Sequence, residues 1–137
     1  MPLSFSVDEN RETSDALLEG IKAFNLAAIG VGGGQKFNVA LRDDSGRIVG
    51  GVAATLSADS LYLDIVWADD SIRGQGHGRA MMEMIETEAR RRGAHDAWLY
   101  TMSWQARPFY EQLGYVCVGE TPFMGERYRR YFMWKQL

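Results

Sequence analysis

Two periods run through the chain and divide it into elements. Alternation of apolar and polar residues marks strands, and apolar residues recurring every three or four positions mark helices. Residues 3–7 alternate and predict a short strand. A turn with Asp8, Asn10 and Thr13 leads to a helix over residues 16–26, capped by Ser14 or Asp15, with Leu17, Leu18, Ile21 and Phe24 on its buried face. Residues 37–42 form the next strand, Asp43-Asp44-Ser45-Gly46 turns the chain, and residues 47–55 return as the second arm of an antiparallel hairpin. Gly50-Gly51 within that arm predicts a bulge or a close backbone approach. After a turn at residues 57–60, Leu61, Leu63, Ile65 and Trp67 alternate with Tyr62, Asp64, Val66 and Ala68 in a further strand. The period then changes. Met81, Met82, Ile85 and Ala89 trace a helix that closes at Arg90-Arg91-Arg92-Gly93, with cations in its last turn and glycine just beyond. Residues 97–102 read as a strand, 109–114 as a short helix, 115–119 as a strand and 121–126 as a loop. A terminal strand begins at Tyr128 or Tyr131 and runs through Trp134-Lys135. The strand, helix, strand order after residue 61 predicts a parallel pair with a right-handed crossover. The fold class is α+β, a mixed sheet of about seven strands with helices on both faces.

Composition narrows the setting without changing that picture. A length of 137 residues makes a single domain over residues 1–137 the expectation. Hydrophobic residues at 46% and charged residues at 24% are ordinary for a globular chain. The single Cys117 leaves no internal disulfide and fits a reducing cytoplasm. No apolar run nears the roughly 20 residues that span a bilayer, and the first ten residues lack the basic and apolar regions of a secretory signal. A net charge of −3 argues against nucleic acid as a partner and is compatible with a cationic substrate.

The chemistry concentrates where the strand of residues 61–68 runs into the helix at Met81. Arg73-Gly74-Gln75-Gly76-His77-Gly78 places glycine at every second position just before the helix. Glycine lets backbone N–H groups turn toward a ligand without a Cβ in the way, and a helix start adds unpaired donors and partial positive charge. The combination predicts an anion site of the phosphate or pyrophosphate type. A second glycine cluster, residues 30–35, lacks the Lys-Ser/Thr pair of a P-loop and the spacing of a dinucleotide fingerprint, and reads as a connection. His77 lies within the glycine turn and His95 just past a helix end, so no metal site is expected. Asp64 is a carboxylate in an otherwise apolar strand. If buried, it needs a partner or a function.

The stretch Arg73 to Gly78 resembles the Arg/Gln-x-x-Gly-x-Gly/Ala signature of the GNAT superfamily of N-acetyltransferases. Ala106-Arg107-Pro108-Phe109-Tyr110-Glu111-Gln112-Leu113-Gly114-Tyr115 is similar to that superfamily's Ala-x-x-Phe-Tyr-Glu-x-Leu-Gly-Phe/Tyr segment. The resemblance is strong over residues 61–115, and the element order extends it over essentially the whole chain. It implies acetyl-CoA as cosubstrate, with the pyrophosphate held by backbone N–H groups of Arg73, Gly74, Gln75, Gly76, His77 and Gly78. It implies that Val66, Trp67 and Ala68 pair their backbone with the pantetheine arm, and that a nearby N–H stabilises the oxyanion. It implies that Tyr110 protonates the departing sulfur, and it places Asp64, on one strand face with Tyr62 and Val66, toward the acceptor as base or amine anchor. Where many members carry an Asn that contacts CoA, this chain has Ser103, with Gln105 two residues on; either is a substitute. The activity implied is transfer of acetyl to a primary amine of a small molecule. A peptide or protein acceptor, and a non-catalytic CoA-binding module, are the alternatives. Homodimers are common among members and compatible with this chain.

Overall fold

The computed structural model describes residues 2–137, and these divide into two compact units, the first ending at Gly33 and the second spanning residues 34–137. In the first unit, residues 2–10 form neither helix nor strand, and α1 spans Arg11–Ile29. The strand expected at residues 3–7 is therefore absent, and the sheet has six strands rather than about seven. Alternation supplies a strand's faces, but a strand also needs a neighbour's backbone to bond. The cap of α1 is Asn10, upstream of Ser14 and Asp15, and Asp8 supports the entry by accepting from Asn10 N–H and from the Thr13 hydroxyl. The buried face expected of this helix is also corrected, since Leu17, Leu18, Ile21 and Phe24 are all exposed and no residue of α1 is buried. The period determines where an apolar stripe lies; burial depends on a surface to receive it. The second glycine cluster finishes this helix. Gly30 takes the left-handed conformation at φ 79° and donates to Leu26 C=O. At Gly32 a Cβ would sit 2.7 Å from Lys22 O, so the chain can fold back there only without a side chain.

The second unit is a sheet of order β1-β2-β3-β4-β6-β5, formed by β1 (Gly34–Arg42), β2 (Ile48–Ser57), β3 (Ser60–Ala68), β4 (Asp96–Met102), β5 (Val116–Phe123) and β6 (Tyr128–Gln136). Thr121 to Phe123, expected in a loop, belong to β5. The predicted hairpin stands, with Asp43 accepting from Ser45 and Arg47 across its turn. The close approach expected at Gly50-Gly51 is present, because a Cβ on Gly51 would lie 2.4 Å from Val39 O. The parallel pair is β3 with β4, connected through α2 (His77–Arg91); all other neighbours are antiparallel.

One face of the sheet carries the core. Val52, Ala54 and Leu56 of β2, Leu61 and Leu63 of β3, Leu99 of β4 and Met133 of β6 pack with Met81, Met82, Ile85 and Ala89 of α2. Tyr110 and Leu113, from α3 (Arg107–Gln112) and its end, enter the same cluster. Its one buried carboxylate, Glu86, accepts from the Tyr115 hydroxyl at 2.8 Å and from Lys135 Nζ at 2.7 Å, which meets the cost of burying a charge.

The strand alternation of residues 61–68 does not persist to its end. Ala54 faces Leu63 and Ala53 faces Ile65, leaving Asp64 as an extra residue, a β-bulge. A bulge shifts the side-chain phase by one. Val66 and Ala68 join Leu61 and Leu63 against the core, whereas Ile65 and Trp67 are exposed. Asp64 thus shares a face with Tyr62 but not with Val66, contrary to the simple alternation.

Candidate active site

The parallel pair is bonded only at its start. Ser60, Leu61 and Tyr62 face Asp96, Ala97 and Trp98, and beyond Tyr62 the two strands run on without a ladder. The backbone groups of β3 and β4 that face one another past this point have no sheet partner, and an extended chain laid there could bond them. Asp64 stands two residues past the last bonded pair, beside the opening of this gap. Val66, Trp67 and Ala68 follow along it.

At the far end of β3 the chain prepares the glycine turn. Asp69 caps a single 3-10 turn, Asp70–Ile72, by accepting from Ser71 N–H. Arg73 then bends back, donating from Nε to Ala68 C=O at 3.0 Å and pairing with Asp70 at 2.7 Å. Its guanidinium therefore fixes the exit of β3 to the start of the turn. Gly74 and Gly76 hold φ of 75° and 84°, a region costly for residues with a Cβ. Gly78 is needed for a different reason: a Cβ there would meet the Phe109 ring at 3.1 Å. Among the described residues, the N–H groups of Gly74, Gln75 and Gly76 donate to no other backbone group. Gly76 is the N-cap of α2, so the free N–H groups of His77 and Gly78 in the first turn point the same way as the helix dipole's positive end. These N–H groups are the donors that the anion site expected from the sequence would use.

The Gly78 and Phe109 contact brings the tyrosine segment to the same turn. Phe109 and Tyr110 pack edge to face with ring centroids 5.1 Å apart, and Tyr110 meets Tyr115 at 6.1 Å. Burial pushes the Tyr110 phenol up to about 12. No described protein group bonds its hydroxyl, so its proton is available to a ligand. Tyr115 is raised further, by burial and by the Glu86 carboxylate it bonds, and its proton is committed there.

Asp64 is exposed, and its Oδ2 accepts from the Thr55 hydroxyl at 2.9 Å. The premise of a costly buried carboxylate is thereby replaced by an open one that one hydroxyl orients. Ser103 Oγ accepts from Arg129 N–H at 3.0 Å, and Gln105 Oε1 accepts from Met102 N–H at 2.8 Å. Both side chains hold the loop between β4 and α3 to its neighbours, and each keeps donors, the Ser103 hydroxyl and the Gln105 amide, for another group.

Around Asp64 the sheet face opposite the core is aromatic. Tyr62 and Trp98 stack with centroids 4.4 Å apart, and Tyr100 and Phe132 lie 6.3 Å apart. Trp104 meets Phe123 at 5.7 Å and Tyr128 edge-on at 4.8 Å. The Arg130 guanidinium lies 5.3 Å from both the Tyr100 and the Phe123 rings. Trp98, Tyr100, Phe132 and Trp134 occupy alternate positions on two strands, a signal that becomes readable once the strands are known to be adjacent.

Comparison with known proteins agrees with this geometry. Residues 6–115 match the model of the acetyltransferase (GNAT) family, and the chain belongs to that family. It is 31% identical over 108 residues to Acetyltransferase Atu2258 of Agrobacterium fabrum, covering 79% of each chain. It is 29% identical over 80 residues to a blasticidin-S acetyltransferase of Streptomyces morookaense, covering 58% of this chain and 59% of that one. A crystal structure from Agrobacterium tumefaciens, described as a candidate acetyltransferase, superposes over 100% of both chains with a TM-score of 0.89 at 26% identity. The protein is an N-acetyltransferase of GNAT type, and acetyl-CoA, the family's acetyl donor, is its cosubstrate.

Proposed function

We propose that residues 1–137 work as one acetyltransferase domain that moves the acetyl group of acetyl-CoA to a primary amine of a small molecule, by direct attack in a ternary complex. The observation that carries this reading is the unbonded gap between β3 and β4, which has Asp64 at its mouth, the glycine turn at the end of β3 and Tyr110 joined to that turn through Phe109. A small-molecule acceptor is supported by the name of the Streptomyces relative, a blasticidin-S acetyltransferase.

Each part has a task in the reaction. The N–H groups from Gly74 to Gly78 hold the pyrophosphate, with Arg73 keeping the turn in shape. The backbone of Val66, Trp67 and Ala68 lines the pantetheine arm, and one of these N–H groups donates to the oxyanion as the amine attacks the thioester carbon. The donors left on Ser103 and Gln105 meet CoA from the other strand. Asp64 draws the ammonium in and takes the first of the two protons the nitrogen must lose, which frees the amine to attack. As the C–S bond breaks, Tyr110 gives its proton to the sulfur and is reprotonated by the second proton, shed as the amide forms, so that ammonium and thioester become amide and thiol with one proton left on Asp64. A phenol near 12 is a weak acid, but a thiolate leaving into a dry gap is poorly solvated and correspondingly basic. The lone thiol of Cys117 fits the reducing cytoplasm as the place of action.

Thermal unfolding with CoA and acetyl-CoA, followed by free-thiol release across a panel of amines and peptides, tests the reading. The expectation is a rise in Tm with either ligand and amine-dependent thiol release from at least one small acceptor. No Tm shift at millimolar ligand would sink the CoA assignment. Binding without release from any acceptor would favour the regulatory module, and release with peptides alone the peptide reading.

A further inference from the structure

Arg130 is the one arginine of β6 without a carboxylate. Its neighbour Arg129, on the opposite side of the strand, pairs with Glu120 at 3.2 Å and Glu126 at 3.4 Å. Among the described residues the Arg130 side chain makes neither an ion pair nor a hydrogen bond. Its Nε is buried and unpartnered, and so is Oγ1 of Thr121, which stands directly across the ladder from it. Two orphaned polar atoms on facing positions are unusual, because each costs free energy unless a further group bonds it. The guanidinium also lies against two aromatic rings, Tyr100 and Phe123, which hold its plane without neutralising its charge.

These residues belong to the open face that carries Asp64. Met102 on β4 faces Arg130, and Tyr100, two residues earlier on β4, faces Phe132. The face thus has a carboxylate beside the gap, aromatic rings across the middle and an unpaired cation with a hydroxyl beyond. Taking the function proposed above as its basis, we infer that Arg130 and Thr121 receive an oxyanion of the acceptor, a carboxylate or a phosphate. The acceptor is then an amine that also bears an acidic group, with any planar portion lying on the Tyr100 and Phe123 rings. The guanidinium supplies a forked pair of donors, the Thr121 hydroxyl a third, and the amine is directed back toward Asp64 and the thioester. Such a face disfavours a purely polycationic acceptor, which would meet Arg130 as a like charge.

Matched acceptors separate this from the function it rests on. Thiol release would be measured for tryptophan against tryptamine, histidine against histamine, and O-phosphoethanolamine against ethanolamine, and binding by calorimetry for N-acetyltryptophan against N-acetyltryptamine. The expected result is at least a tenfold advantage in kcat/KM or Kd for the acidic member of a pair. That advantage collapses in Arg130→Met, survives in part in Arg130→Lys and shrinks in Thr121→Val. Circular dichroism and Tm establish that the variants fold, and Thr121→Val keeps the question open to test should Arg130→Met misfold. Equal use of both members throughout, or an Arg130→Met loss that is the same for both, overturns the assignment while leaving the acetyltransferase reading intact. No CoA binding and no thiol release with any amine would remove the reading itself, and the anion site with it.

Discussion

The two faces of the sheet come from the same strands and differ in nearly everything else. The face toward α2 and α3 is aliphatic and closed. Leu61, Met82, Ile85, Ala89 and Met133 have no exposed surface at all, and the one charge admitted, Glu86, is bonded by Tyr115 and Lys135. The other face is aromatic and part-exposed, holds Asp64 beside the gap and the unpaired Arg130, and keeps three polar atoms orphaned, on Asp96, Thr121 and Arg130. Closed aliphatic packing buys stability. Exposed rings and unpartnered charges do little for it and are the groups from which a binding surface is made. The bulge at Asp64 marks where β3 changes from serving one purpose to serving both. It turns Val66 and Ala68 to the core and leaves Asp64 and Ile65 outward at the point where β3 and β4 part.

This contrast can be broken experimentally. The largest effect is expected from Leu61→Ala, which should cost about 3 kcal/mol in urea unfolding by opening a cavity in the closed face. Trp98→Ala on the open face removes a larger side chain, yet should cost about 1 kcal/mol, because 38% of its surface is exposed. Equal losses would show the open face to be a second core. Tyr110→Phe should lower kcat about 100-fold, or about 2.7 kcal/mol, with acetyl-CoA affinity little changed. Stability should hold or rise, because the deleted hydroxyl bonds no protein group; an unchanged kcat refutes the proton-donor role. Gly76→Ala should cost about 1 kcal/mol through its positive φ and weaken CoA binding measured by titration, whereas Gly20→Ala, in α1, should do neither.

The smallest effect is on pH dependence. Burial raises the folded Tyr110 pKa to about 12 from an ordinary value near 10. The unfolded chain therefore loses this proton first, and the stabilisation is complete below pH 10 and is lost as pH rises from about 10 to 12. Denaturant titrations at pH 9 and 11 should show a loss that Tyr110→Phe diminishes. Since Tyr110 stays protonated through the working range, any alkaline fall in kcat/KM below pH 11 should persist in that variant.

Much of the candidate site was legible from local pattern. The glycine turn could be read because the need for positive φ and for a missing Cβ is written in glycine itself, and Gly74, Gly76 and Gly78 each meet such a need. Tyr110 could be read from the segment around it. The bulge at Asp64 could not, since it arises from the register of β2 against β3 and leaves the alternation in the sequence looking intact. The fate of residues 3–7 and of the α1 stripe was equally hidden, because pairing and burial depend on surfaces elsewhere.

The sequence by itself determined most of the elements, among them the helix that follows the glycine turn and the hairpin at Asp43 to Gly46, and the membership in an acetyltransferase family. These rest on period, backbone preference and short motifs, all of which act within a few residues. Only the tertiary structure decided which strand lies beside which, where β3 and β4 separate, and that Thr121 and Arg130 face each other with no partner of their own. Adjacency between distant strands sets those outcomes, and adjacency is a property of the packed chain rather than of any stretch of it.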